Sequence, residues 1–156
     1  MKKILILLLL CFFFITGCGT NNNLIGTLEC SKESTDEDGY KTIDKMTVTY
    51  KNNVVTNVKQ ISTMETDPDF IELSLSFGNA FAEKLNVVDG INVKYSKEND
   101  DTIKYTMDID YAKVDINEIK NALGDLFDEE DSSIYSNDKL NLEEFKNENL
   151  KDYTCK

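Results

Sequence analysis

The sequence predicts an α+β domain with one twisted antiparallel sheet of about five strands and helices packed on one of its faces. Three observations carry this expectation. Apolar residues alternate with polar ones in paired runs joined by short turns, as in hairpins with one buried side. Two stretches change to helical spacing. A hairpin followed by a helix occurs twice, over residues 40–88 and 91–127, although the repetition lies in element order and not in residue identity.

The first strand covers Leu24 to Lys32, where Leu24, Gly26, Leu28 and Cys30 share a face. Acids from Ser34 onward and the Asp38-Gly39 turn end it, and a strand beside only one hairpin partner belongs at or near the sheet edge. Tyr40 to Tyr50 resumes the alternation with Met46, Val48 and Tyr50 in phase. Asn52 and Asn53 tolerate positive φ and turn the chain into a third strand, Val54 to Met64. Its phase is untidy, because Val54 and Val58 face one way while Val55 and Ile61 face the other. Either a strand covered on both sides or a bulge accounts for that.

Asp67 and Pro68 open a helix, as an acceptor at the cap followed by a residue that needs no donor. It is expected to run to about Val88, with Phe70, Leu73, Phe77, Phe81 and Val88 on one stripe and Ile71, Leu75, Ala82 and Leu85 widening it. Such a stripe fits the central core helix, with a lipid- or ligand-binding helix as the alternative. Gly78 in its middle points to close packing on the sheet. A second hairpin follows Asp89-Gly90, turning at Glu98 to Asp101, and Ile103 to Tyr111 is the longest clean alternation in the chain. Asp115 with Glu118 starts a second helix, Asp128 to Asp138 reads as an acidic loop, and Asn141 caps a short helix to Leu150.

The first residues have a different character. Lys2 and Lys3 precede an apolar run from Ile4 to Ile15, shorter than the ~20 residues that span a bilayer and suited to an exported, cleaved signal. Ile15, Thr16, Gly17 and Cys18 match the bacterial lipobox, in which a diacylglyceryl group is attached to the cysteine and the chain is cut before it. The alternative is an ordinary cleaved signal with a chance cysteine. The expected organisation is a signal over 1–17, a lipidated Cys18 with a polar spacer over 18–23, and one extracytoplasmic domain over 24–156. Membrane lipid, through the Cys18 anchor, is then the first partner, and the cell membrane is the expected location.

Composition narrows the chemistry. The chain carries 17 lysines and no arginine against 29 acids, for a formal charge of -12. Binding to nucleic acid is not expected, because phosphate contacts need clustered cations. With histidine absent, the chain lacks the usual base near neutral pH and the commonest transition-metal ligand. Without arginine it lacks bidentate clamps. Once Cys11 leaves with the signal and Cys18 takes lipid, Cys30 and Cys155 remain, and in an exported chain they are candidates for a disulfide, with two reduced thiols as the alternative.

From Gly90-Ile91, through the hairpin ending in Asp108, Asp110, Tyr111, Lys113, Val114 and Asp115, the chain resembles small bacterial lipoproteins of the YehR-like type. The lipobox, the early Thr/Tyr-rich hairpin and the following helix belong to the same resemblance, which covers most of residues 1–120. It implies membrane attachment and a fold, and no known activity. Cys30, Cys155 and the tail after Phe127 depart from that pattern, so the disulfide rests on this sequence alone.

No constellation for catalysis, cofactor or metal stands out. Asp36, Asp38 and Gly39 echo a calcium loop, but its first and twelfth positions are Ser34 and Lys45, so a solvated turn is the expectation. Asp108 and Asp110 lie two apart on a strand, with Asp44 on a neighbour, a spacing open to acid-base work but also to polar residues facing water. Tyr40, Tyr50, Tyr95, Tyr105 and Tyr111 either pack the sheet or form a contact surface. The leading expectation is a non-enzymatic, lipid-anchored domain binding an envelope protein or small ligand. The rival is an extracytoplasmic hydrolase or metal-dependent enzyme using surface carboxylates, and a closed core with an uncovered sheet face favours binding.

Overall fold

The computed structural model describes residues 24–124 and 140–156. The expected signal over 1–17, Cys18 with the expected spacer, and the acidic stretch from Asp128 to Asp138 lie outside the described residues. The strands are β1 (Ile25–Thr35), β2 (Lys41–Lys51), β3 (Val54–Glu65), β4 (Ile91–Asn99), β5 (Thr102–Asp110) and β6 (Thr154–Cys155). The helices among the described residues are α1 (Ile71–Leu85), preceded by a 3-10 turn at Pro68–Phe70, then α2 (Ile116–Leu123) and α3 (Leu142–Asn149). All strand pairs are antiparallel in the order β4-β5-β3-β2-β1-β6, so the expected α+β architecture holds with one strand more. That extra strand is the two-residue β6, too short to show periodicity in a sequence. Among the described residues no helix is long and apolar enough to cross a membrane.

The register sets Leu28, Val48, Val58, Ile109 and Ile91 side by side across five strands. Directly paired residues share a face, so this row defines the buried side. Ile91 and Ile109 join Ala82, Leu85, Ile119 and Leu123 beneath α1 and α2. Val48 and Val58 join Leu142, Phe145 and Leu150 beneath α3. Because both clusters rest on the same row, the helices cover one face, and each fully buried aliphatic or phenyl side chain contributes about 1.5–3 kcal/mol of transfer energy.

A bulge resolves the untidy phase of β3. Thr49 pairs with Asn57 and Tyr50 with Val55, which leaves Thr56 as an extra residue whose hydroxyl donates to the Thr49 carbonyl at 3.1 Å. Val55 and Val58, three apart in sequence, therefore both point into the core, at 2% exposure each. Ile61 points the other way, away from the helices.

The first helix differs from its expected stripe. Asp67 accepts from the Asp69 N–H at 2.9 Å as the cap requires, but the helix ends at Leu85, three residues before Val88. Asn86 ends it by bonding both the N–H and the C=O of Val93, at 2.6 and 2.9 Å. The buried side is Ile71, Gly78, Ala82 and Leu85, whereas Phe70, Leu73 and Phe77 are exposed at 55%, 52% and 70%. Close contact selects the narrow side: a Cβ on Gly78 would lie 2.6 Å from the Tyr95 ring, so glycine lets helix and strand meet where a phenylalanine could not.

The Cys30 and Cys155 sulfurs are joined at 2.06 Å, across 125 positions of sequence. The bond fastens β6 to β1, where Glu29 and Lys156 exchange two backbone hydrogen bonds of 3.0 and 3.2 Å.

Candidate binding face

Alternation that sends valines and methionines inward sends a second set of side chains to the uncovered face. On β2 these are Lys41, Ile43, Lys45 and Thr47, and on β3 they are Lys59, Ile61, Thr63 and Glu65. On β5 they are Lys104, Thr106 and Asp108, and on β4 Lys94 stands opposite Thr106. No helix crosses this side among the described residues. Instead, two shallow grooves run over it, of about 600 and 530 Å³, and they share Lys45 and Ile61.

Ile61 is the centre of the face. Lys45 is its direct partner on β2 and Thr106 its direct partner on β5. Lys59 lies two residues back on the same strand, and Ile43 and Lys104 are diagonal neighbours, about 7–8 Å away by sheet geometry. Ile43 is 39% exposed, an aliphatic side chain left on the open side of a sheet. The block around Ile61 thus holds three lysines and, at the fourth corner, one carboxylate, Asp108, which accepts from Asn57 Nδ2 at 2.7 Å. In a chain with 29 acids and 17 lysines, that local balance is reversed.

Ion pairing leaves several of these lysines available. Lys104 lies 3.8 Å from Glu98, whereas Lys41, Lys45, Lys59 and Lys94 have no carboxylate within 4.0 Å among the described residues. Acids gather at the rim, where Glu65 accepts from the Lys41 N–H at 3.1 Å and Glu29 and Glu33 stand on β1. Thr154 of β6 and Lys156 just after it line the second groove, so the Cys30–Cys155 bond holds one wall of the site.

The carboxylates considered for acid-base chemistry are separated. Asp44 pairs with Ser62 on the helix side, where the serine hydroxyl donates to it, while Asp108 and Asp110 are on the open face. Asp110 accepts from the Ala112 N–H at 3.1 Å and meets Lys113 at 3.3 Å, a turn-stabilising role. Strand parity alone decides this, since Asp44 and Asp108 occupy rows of opposite phase. Asp36 accepts from the N–H groups of Asp38 and Tyr40 at 3.0 and 2.9 Å, with Gly39 at φ +91°, which makes the calcium-like segment a hydrogen-bonded turn. Among the described residues no three acidic or thiol side chains converge as a metal site.

The tyrosines pack. Tyr95 and Tyr105 pack ring against ring on the helix side, tilted by 46° with centroids 4.9 Å apart, and Tyr50 lies over Gly26, which it pairs across strands. Burial pushes the Tyr95 hydroxyl pKa up, and burial followed by the Asp44 carboxylate does the same for Tyr153. Of the two expectations for the tyrosines, packing and a contact surface, packing holds for Tyr50, Tyr95, Tyr105 and Tyr111, and the open face is marked instead by the Lys-Ile-Lys alternation at Lys41, Ile43 and Lys45. That alternation opposite Met46 and Val48 was the legible signal, but the matching Lys59 and Ile61 required the register.

No family model matches the sequence, and no curated protein does. Two solved structures share its fold. An NMR structure of a protein from Streptococcus pneumoniae TIGR4 superposes with a TM-score of 0.56 at 12% identity, over 91% of this chain and 90% of that one. The NMR structure of Escherichia coli YehR superposes with a TM-score of 0.54 at 16% identity, over 80% of this chain and 84% of its own. The chain therefore has a YehR-like fold, as the resemblance in its second hairpin implied.

Proposed function

We propose that this protein is a non-enzymatic binding domain, held at the outer side of the cell membrane by lipid on Cys18, which captures an envelope partner or ligand on the open face of its sheet. The observation that carries the reading is the pairing of a core closed by helices on one side with a grooved face on the other that the described residues leave uncovered. The lipobox supplies the address: two acyl chains, at ~0.8 kcal/mol per buried methylene, hold far more firmly than one. A catalytic reading needs convergent carboxylates, and Asp44 and Asp108 are on opposite sides of the sheet.

The test is affinity capture of the intact acylated protein from membranes, with Ile61→Asp as the comparison. The expected result is fatty-acid labelling that Cys18→Ala abolishes, and a captured partner that Ile61→Asp loses while its thermal unfolding stays cooperative. Unchanged labelling in Cys18→Ala would overturn the anchor, and unchanged capture by Ile61→Asp would overturn the binding face.

A further inference from the structure

We infer that the occupant of the open face is an acidic protein surface: carboxylates that meet Lys45, Lys59 and Lys94 around an apolar side chain seated on Ile43 and Ile61. This rests on the binding reading above and adds the chemistry of the partner. Four features of the face select that chemistry together.

Lys45 and Lys59 flank Ile61 and, like Lys94 on the edge strand β4, have no carboxylate within 4.0 Å among the described residues, in a chain of formal charge -12, so the attraction is local and complementary to acids. Two isoleucines sit among them, and a bare phosphate polymer has no group to place there. Asp108 within the block and Glu29, Glu33 and Glu65 at the rim repel an evenly charged polyanion, whereas a protein surface can place its carboxylates over the lysines only. No aromatic side chain projects from this face among the described residues, so sugar rings and bases have no stacking platform. Size agrees as well. Five strands spaced by ~4.8 Å and about nine paired residues long present on the order of 600 Å², close to the ~800 Å² that each partner buries in a standard interface.

Lysine recognises carboxylate as a point charge and not as a planar fork, so the association is salt-sensitive. The experiment titrates fluorescent synthetic peptides into the full acylated chain in detergent micelles. One peptide repeats Glu-Leu-Thr, a second repeats Lys-Leu-Thr, and linear polyphosphate serves as competitor. The expected result is binding of the acidic peptide only, weakening with salt. It should fall by at least about tenfold in K45E/K59E and remain within about twofold in K84E/K151E, which makes the same charge change at exposed sites elsewhere.

Equal binding of the lysine peptide, equal loss in both double variants, or displacement by polyphosphate at matched charge would each overturn the inference. Capture from membranes separates the two levels. If K45E/K59E still captures the partner that Ile61→Asp loses, the face binds but the acidic partner is wrong. If Ile61→Asp also captures it, the binding reading itself falls.

Discussion

Replacing Gly78 with alanine tests the packing that sets α1 on the sheet. At an exposed helix interior this change stabilises by about 1 kcal/mol, because alanine is the better helix former. At Gly78 the new Cβ would lie 2.6 Å from both Cγ and Cδ1 of Tyr95 and 2.9 Å from Cε1. Those atoms are near the root of a ring that packs against Tyr105, so they cannot swing away as a side-chain tip would. Overpacking of this kind costs about 1–3 kcal/mol, which leaves a net loss of about 1 kcal/mol after the propensity gain. Urea unfolding of the oxidised protein measures it, with exposed Ala80→Gly calibrating propensity on the same helix. In a Tyr95→Ala background the clash disappears and Gly78→Ala should stabilise by up to about 1 kcal/mol, so the cycle should show about 1–3 kcal/mol of coupling. A stabilising Gly78→Ala in the unaltered protein, or additivity within about 0.5 kcal/mol, would refute the contact argument.

Three other outcomes follow from the same structure. Cys30→Ser with Cys155→Ser should lower stability by up to about 5 kcal/mol, the loop-closure entropy for residues 125 apart, and equal urea midpoints for both proteins would count against it. Phe145→Ala, at 1% exposure, should cost about 3–5 kcal/mol, while Phe77→Ser at 70% exposure should stay within about 0.5 kcal/mol, and denaturant midpoints separate the two. Tyr95, held protonated by burial, contributes stability that is present below the ordinary tyrosine range and lost as pH rises through its raised value. Tyr95→Phe should therefore flatten the alkaline loss of stability, and phenolate absorbance should show one late-titrating tyrosine fewer.

The chain's alternations, caps and turns make the fold legible in the sequence, since each is a local consequence of backbone geometry. Asn52 and Asn53 take φ of 52° and 64° in the β2–β3 turn, and Asn141 accepts from the Glu143 N–H at 2.8 Å where α3 starts. The buried stripe of α1 differs from the expected one because two apolar arcs share that helix, and spacing cannot say which one meets the sheet. Only the fit of Gly78 to Tyr95 decides. The bulge at Thr56 likewise depends on how β3 pairs with β2, which is a relation between segments.

The binding face belongs to the same class of facts. By itself the sequence determined strand order of appearance, the cysteine pair available for bonding, the acidic balance and the absence of histidine and arginine, all properties of residues taken locally or counted. Tertiary structure decided that Lys45, Ile61 and Lys104 are neighbours, and that theirs is the side the helices among the described residues leave uncovered. A side chain's face follows from parity within a strand, but its neighbours follow from register between strands, and register is set by the whole core closing at once.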